Sequence, residues 1–235
     1  MSAAPPRLHP ALWLWFPPLL AIIVFGVKLF APGLYDSVIE GEIGLTELAT
    51  PLVALIGVGF GVQTVLLSRG RVPKAFTVWL ALTTLGCFYF AGEELSWGQH
   101  LFRWETPAHF AELNDQNETN LHNMSSWFDQ KPRLLLELWV LFGGVVLPLR
   151  RLLGKAAGHA PGSFRDWFWP GIECLPTAAL AIAIKLPERY KKLADIQSLP
   201  LEIRWSEPQE YYFALFLLIY LLAVRARLRA AEPRA

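Results

Sequence analysis

The chain has 235 residues, of which 54% are hydrophobic and 17% are charged, and its mean hydropathy is +0.34. Soluble domains usually carry about 25% charged residues, so this composition argues against an ordinary soluble enzyme or binding domain. The formal net charge of +1 gives no reason to expect a nucleic-acid partner.

Six apolar segments approach the length of about 20 residues that a helix needs to cross a bilayer. Several of the ten tryptophans stand near the ends of these segments, as in an interfacial aromatic belt. The predicted fold class is therefore all-α, a polytopic membrane helical bundle that forms a single domain over residues 1–235. The predicted spans are Ala11–Phe30, Ile43–Leu67, Ala75–Ser96, Arg133–Leu153, Trp167–Leu186 and Pro208–Val224.

The distribution of basic residues predicts the orientation of these spans, because cytoplasmic connections are enriched in Lys and Arg. If both termini lie inside, the inner segments 69–74, 150–165 and 225–234 hold most of the basic residues, and the first outer connection is acidic. The connection 187–207 opposes this assignment, since it carries basic residues on the predicted outer side. We predict that the N-terminus and the C-terminus are both inside.

The connection between the third and fourth spans, residues 97–132, is unusually long for a compact bundle. It contains apolar and aromatic residues, such as Phe102, Trp104 and Phe110, that a freely solvated loop would not need. We therefore predict an ordered extracytoplasmic loop or lid that folds back over the outer ends of the second, third and fourth spans.

The polar residues whose placement at the membrane edge costs the most free energy lie in two short motifs. The first, GEELSWGQ at residues 92–99, ends the third span in the consecutive carboxylates Glu93 and Glu94. The second, NETNLHN at residues 117–123, lies in the long loop. Its four candidate side chains are Glu118, Asn120, His122 and Asn123.

Carboxylates from four spans are predicted to meet at the outer side of the bundle. They are Glu42, Glu47, Glu93, Glu94, Glu137 and Glu210. Like charges repel in a medium of low dielectric unless they bind protons or a cation, so this convergence favours a functional site over any single motif.

Helical spacing would place Glu93, Ser96, Trp97 and His100 on one face if the third helix continues to His100. Glu118 and His122 are four residues apart and would share a face of a short helix. A carboxylate–imidazole set of this kind suits Zn²⁺ or a similar divalent metal, which can activate a bound water molecule.

These patterns assign a role to each candidate. The predicted acid–base groups are Glu93, Glu94, His100 and Glu118. The predicted substrate-binding residues are Trp97, Gln99, Asn120 and Asn123. The predicted metal ligands are Glu47, Glu94 and His122.

Structural roles also explain each of these residues taken singly. Glu93 and Glu94 can accept hydrogen bonds from backbone and Trp N–H groups or pair with Arg103, and His122 can be a structural hydrogen-bonding residue. A nucleophilic triad of Ser96, His100 and Glu93 is a further interpretation, but no G-x-S-x-G elbow accompanies it.

GEELSWGQ and ETNLHN, preceded by EGEIGLTELAT, resemble motifs of a group of bacterial multi-pass membrane proteins to which no activity is assigned. The resemblance covers roughly the second span through the long loop, and it implies the bacterial cell inner membrane. The alkaline ceramidase-like membrane hydrolases are a distant analogue, because they also place acids and histidines around an intramembrane metal. This chain lacks their late His-x-x-x-His pair.

Two functions follow as hypotheses. The first is a metal-assisted hydrolase or transferase that acts at the outer membrane face on a membrane lipid or a lipid-linked substrate. The alternative is non-enzymatic: a transporter, or an accessory membrane subunit whose polar loop docks a protein partner. A continuous polar path through the bundle would favour transport, and a closed pocket would favour an enzyme.

Overall fold

The computed structural model describes residues 8–40, 44–108, 119–120, 126–198, 203 and 205–231, and of residues 100, 101 and 126–130 it describes the backbone alone. These residues form helices and connections without a strand. The helices are Ala11–Trp15, Phe16–Phe30, Pro32–Leu34, Tyr35–Ile39, Leu45–Ser68, Lys74–Glu94, Ser96–Gly98, Gln99–Phe102, Ser126–Trp139, Val140–Val146, Leu147–Leu152, Phe164–Phe168, Ile172–Cys174, Leu175–Ala183, Leu186–Leu193 and Ser206–Ala230.

Six helical segments of the described chain are long and apolar enough to cross a membrane, which confirms the predicted all-α, multi-pass architecture. In chain order we call them the first to the sixth span. They are Ala11–Phe30, Leu45–Ser68, Lys74–Glu94, Lys131–Leu152, Phe164–Leu193 and Ser206–Ala230.

The sixth span is the core of the bundle. In its most apolar window 78% of the residues are buried, against 11% in the first span. Apart from the Tyr220 hydroxyl, its sequence is apolar on every side between Phe213 and Val224, and a helix of that kind must be covered all round or face lipid. The second span and the helix Leu175–Ala183 pack directly against it, and the third span packs against the second.

Close packing of the second and third spans depends on two glycines. A Cβ atom at Gly61 would overlap the Thr84 side chain, and one at Gly57 would lie 3.3 Å from the Cys87 sulfur. Small residues let membrane helices approach in this way. Gly59 lies between them in sequence, but a Cβ atom added there would have nothing within 4 Å, so Gly59 takes no part in this contact.

The sequence predicted the fifth span as the segment Trp167–Leu186, and the structure interrupts the helices of this span at residues 169–171 and again at residues 184–185. The first of these interruptions contacts the sixth span. The interruption needs an outside partner because an unwound backbone inside a membrane must have its polar groups satisfied. Tyr220 of the sixth span donates its hydroxyl to the Phe168 carbonyl at 3.1 Å, and Trp79 of the third span donates to the Tyr220 hydroxyl at 3.0 Å. The interruption therefore lies against the core helix.

The two ends of the bundle differ in charge. The end formed by the starts of the second, fourth and sixth spans and the ends of the others carries most of the described carboxylates, and we call it the acidic end. The opposite end, called the basic end, carries Arg69, Lys74, Arg150, Arg151, Lys155, Arg165, Arg225, Arg227 and Arg229. Asp166 is the acid that the described residues place there.

Candidate functional site at the acidic end

The third helix ends at Glu94, so the condition that it continue to His100 is not met. Ser96 and Trp97 adopt positive φ angles of 45° and 55°, and Gly98 follows at 97°. Left-handed backbone costs a non-glycine residue roughly 1–2 kcal/mol, so two such residues in succession must be held by other contacts. The chain turns sharply here, and the four predicted residues do not share one helical face.

Trp97 supplies one of those contacts by folding back onto the helix that it follows. Its Nε1 donates to Glu93 Oε1 at 2.7 Å, and Glu93 is buried. The indole ring covers Gly92, where an added Cβ atom would lie 2.8 Å from the ring. A hydrogen bond from a Trp N–H was one of the structural roles that the sequence suggested for Glu93, and Trp97 provides this bond.

The two motifs meet in the structure. Asn120 donates from Nδ2 to Ser96 Oγ at 3.3 Å, and both residues are buried. Gln99 accepts the Thr119 backbone N–H at 2.6 Å and donates to Thr106 Oγ1 at 2.8 Å. The chain therefore returns at residues 119–120 to the place where the third span ended. The returning segment is held in place by the hydrogen bonds of Ser96, Gln99 and Asn120.

Glu94 faces a different environment from its neighbour Glu93. It is half-buried, and the charged groups close enough to act on it come from three other spans. They are Glu47 of the second span, Arg133 of the fourth span, and Glu207 and Glu210 of the sixth. We call Glu47, Glu94, Arg133, Glu207 and Glu210 the Glu94 cluster.

Arg133 links the fourth span to the sixth within this cluster. Its guanidinium donates to Glu210 Oε1 at 2.8 Å and to Gln209 Oε1 at 2.8 Å. Gln209 is buried and donates in turn to the Ala181 carbonyl of the fifth span at 3.1 Å. Arg133 is thus fixed by two acceptors on adjacent residues of the core helix.

The Glu94 cluster, as defined, contains four carboxylates and one guanidinium. Electrostatic repulsion between neighbouring carboxylates falls when one of them binds a proton or when a cation binds near them. The negative field extends to the segment after the first span, where burial and the charges of Glu40, Asp36 and Glu207 raise the pKa of Tyr35. The Tyr35 ring is also covered by the Lys28 ammonium at 4.5 Å.

Of the six carboxylates that were predicted to converge, Glu47 and Glu210 lie within electrostatic range of Glu94. Glu93 is bonded to Trp97, and Glu137 pairs with Arg189 of the fifth span. Glu42 lies outside the described residues.

The metal hypothesis concerns residues that the structure describes only in part. Glu118, His122 and Asn123 lie outside the described residues, and His100 is described by its backbone alone. Across residues 8–40, 44–108, 119–120, 126–198, 203 and 205–231, no group of three or more His, Cys, Asp or Glu side chains could hold a metal ion. Within that part of the chain, Glu47 and Glu94 are the remaining predicted ligands.

Sequence reasoning missed Glu207, Gln209 and Arg133 as members of this region. A signal for Glu207 was present, because Glu207 and Glu210 are three residues apart at the start of the sixth span and so lie on one helical face.

Comparisons of the chain with protein-family models, curated proteins and solved structures found no match.

Proposed function

We propose that this protein is a membrane-embedded hydrolase or transferase that acts on a membrane lipid or a lipid-linked substrate, with Glu94 as its acid–base group. The proposal rests on one observation: Glu94, at the end of a membrane span, lies within electrostatic range of Glu47, Glu207, Glu210 and Arg133 from three other spans. Carboxyl groups in such a set can divide into a proton donor and an ionised acceptor, which is the pairing that general acid–base catalysis uses.

The surroundings of the cluster support a lipid substrate. Leu45 and Leu48 flank Glu47 at the start of the second span, and Leu134 and Leu135 follow Arg133 at the start of the fourth. All four leucine side chains are exposed. A molecule with acyl chains and a polar headgroup could therefore contact the leucines and the charged groups at the same time.

The core of the sixth span favours this proposal over transport. Gln209 is hydrogen-bonded at the acidic end, and Tyr212, one turn further along, donates to the Pro17 carbonyl at 2.7 Å. After Tyr212 the next polar side chain of this helix is Tyr220. Between them lie Phe213, Phe216 and Ile219, which are all buried. An apolar layer of this kind supports a site that opens at one end of the bundle, whereas a transporter needs a polar route between both ends.

A divalent metal such as Zn²⁺ remains part of the proposal as its metal-assisted form. Glu94 and Glu47 would provide carboxylate ligands, His122 an imidazole, and His100 and Glu118 acid–base groups. Elemental analysis of the purified wild type, of Glu94→Gln and of His122→Ala tests this form. We expect metal in the wild type and less in both variants; a folded wild type without metal would remove the metal-assisted form.

Comparative lipid analysis tests the proposed activity. Cells that express the wild type, Glu94→Gln or Glu105→Gln would have their membrane lipids and lipid-linked species compared by mass spectrometry. Glu105 is exposed in the loop that follows the third span, so it is a matched control for loss of one carboxylate at the same end.

We expect at least one species to be consumed or formed by the wild type and by Glu105→Gln, but not by Glu94→Gln. General acid–base groups contribute roughly 10²–10⁴-fold to rates, so the difference should be close to all-or-none. Thermal unfolding of each purified variant shows that the fold is intact. Identical lipid profiles for the wild type and Glu94→Gln would refute the proposal.

A further inference from the structure

The second span has an uncovered face that includes a polar side chain. Its opposite face, with buried residues between Thr50 and Ser68, packs against the third and sixth spans. The uncovered face is formed by exposed residues at helical spacing, and we call it the Gln63 face. Its members are Leu52, Leu55, Ile56, Gly59, Val62, Gln63 and Leu66. Gln63 is the polar member of this set.

Gln63 lies within the hydrocarbon layer of the membrane. The second span has 24 residues, which form about 36 Å of helix against a hydrocarbon layer of about 30 Å. Gln63 is five residues before the end of the span at Ser68, so in a centred span its backbone is roughly 4–5 Å inside that layer. Cα–Cβ bonds of a helix tilt toward its N-terminus, so this side chain leans toward the middle of the membrane and away from the nearer headgroups.

The Gln63 amide has no hydrogen-bond partner within the part of the chain that the structure describes. Its neighbours with hydroxyl groups are satisfied inside their own helix. Thr64 donates to the Phe60 carbonyl at 2.7 Å, and Ser68 donates to the Val65 carbonyl at 2.8 Å. A primary amide has two donors and an acceptor, and leaving them unpaired in hydrocarbon is unfavourable. Gln63 therefore calls for a polar partner on another molecule in the membrane.

Gly59 leaves room for a partner helix beside this amide. It is one turn before Gln63 on the same face, and a Cβ atom added there would have nothing within 4 Å. Gly57 and Gly61 are already used in the contact with the third span. Small residues let the backbones of membrane helices approach closely, and polar side chains then form hydrogen bonds across the contact.

We propose that the Gln63 face binds a second copy of this chain, with the two Gln63 amides hydrogen-bonded to each other across a twofold axis. Two copies inserted in the same orientation have parallel second spans. An axis along the membrane normal then brings Gln63 and Gly59 next to their own counterparts at the same depth.

The chemistry of the amide favours a second copy over a different membrane protein. An amide is self-complementary, because its N–H groups can donate to the carbonyl of the other copy while its own carbonyl accepts. A different partner would have to carry its own polar side chain at this depth. The contact is separate from the Glu94 cluster and does not depend on the proposed activity.

The test measures association of the full-length protein in proteoliposomes by fluorescence resonance energy transfer. Lys155→Cys, at an exposed position of the basic end, is labelled with a donor or an acceptor dye, and the native cysteines are buried. The two preparations are reconstituted together and diluted with increasing amounts of phospholipid. The test substitutions, made in this background, are Gln63→Leu and Gly59→Leu. The control is Gly86→Leu, which adds the same side chain at an exposed glycine of the third span with nothing within 4 Å.

We expect the parent protein and Gly86→Leu to form the same dimer. Gln63→Leu should raise the dimer dissociation constant at least about five-fold, because it removes the hydrogen bonds between the helices. Gly59→Leu should raise it about ten-fold or more, because the added side chain separates the two backbones. Gln63→Asn, which keeps the amide on a shorter side chain, should fall between the parent and Gln63→Leu. Thermal unfolding establishes that each variant is folded.

Three results would overturn the proposal. Energy transfer no greater than that of randomly distributed monomers would mean that the Gln63 face contacts lipid or a different membrane protein. Unchanged dimerisation of Gln63→Leu would mean that the copies associate through another surface. Equal weakening by Gly59→Leu and Gly86→Leu would assign the effect to added bulk and not to this face.

Discussion

Two adjacent glutamates at the end of the third span have different roles in the structure. Successive residues of an α-helix point about 100° apart, so Glu93 and Glu94 cannot share a face. Glu93 is buried and bonded to Trp97, whereas Glu94 is half-buried among the charges of three other spans. Glu93 therefore stabilises the turn that follows the helix, and Glu94 is the candidate acid–base group.

Gly92 is expected to be sensitive to the smallest possible substitution. A Cβ atom in Gly92→Ala would lie 2.8 Å from the Trp97 ring, so the ring must move and its bond to Glu93 must lengthen. We expect the free energy of unfolding to fall by about 1–3 kcal/mol, the usual cost of overpacking. Equilibrium unfolding in sodium dodecyl sulfate, followed by circular dichroism, measures this change.

Gly86→Ala is the matched control, because Gly86 lies in the same helix and has nothing within 4 Å of the added atom. Alanine has a higher helix propensity than glycine, so this variant should be unchanged or up to about 1 kcal/mol more stable. Equal destabilisation by the two substitutions would show that the contact between Trp97 and Gly92 contributes nothing.

At the scale of helices, Arg133 joins the fourth span to the sixth in the most charged part of the bundle. Its side chain is 26% exposed, and its loss would leave Glu210 close to Glu94 without this compensating cation. We expect Arg133→Gln to lower the free energy of unfolding by about 2 kcal/mol, less than a fully buried pair would give. Adding Glu210→Gln to this variant should restore part of the loss.

Arg189→Gln provides the comparison at the same end of the bundle. Arg189 pairs with Glu137 between the fourth and fifth spans, but its side chain is 46% exposed. Ion pairs that water can screen contribute about 0–1 kcal/mol, so this substitution should have a smaller effect than Arg133→Gln. The same unfolding titration measures both variants, and an equal effect would contradict the role given to Arg133.

Hydropathy and length were sufficient to predict the spans, because each apolar segment had to be long enough to cross a bilayer. They could not predict the interruption of the fifth span, whose Phe168 carbonyl is satisfied by Tyr220, a residue 52 positions away in sequence. Helical periodicity also failed beyond Glu94, where Ser96 and Trp97 adopt left-handed backbone that contacts with Glu93 and Asn120 support. Such contacts between distant segments are invisible to a local pattern.

The candidate site was predictable only in part for a similar reason. Glu47, Glu94 and Glu210 could be related by their depth in predicted spans. Glu207 was assigned to a connection, and Arg133 was interpreted as the start of a span. The sequence did not reveal that the fourth and sixth spans are neighbours at this end, which the bond from Arg133 to Glu210 shows.

At the scale of the whole molecule, the unequal charge of its two ends predicts how it sits in a membrane. Positive residues are retained on the cytoplasmic side, so we expect the basic end to face the cytoplasm and the acidic end to face outward. Cysteine substitutions at Lys155 and Glu105 report on the two ends, both positions being exposed. The native Cys87 and Cys174 are buried and should not react.

A membrane-impermeant maleimide should label Glu105→Cys in intact cells and Lys155→Cys only after the membrane is permeabilised. The wild type, treated in the same way, is the control for reaction at the native cysteines. Labelling of Lys155→Cys in intact cells, with Glu105→Cys protected, would reverse the orientation and place the Glu94 cluster at the cytoplasmic face.

The position of the core helix in the chain has a consequence for biogenesis. The sixth span is the last of the six to leave the ribosome, yet it is the one around which the others pack. While the first five are inserted, Arg133 lacks Glu210, and the Phe168 carbonyl lacks Tyr220. Early insertion must therefore tolerate the absence of these partners, and the bundle cannot complete its core before the sixth span is inserted.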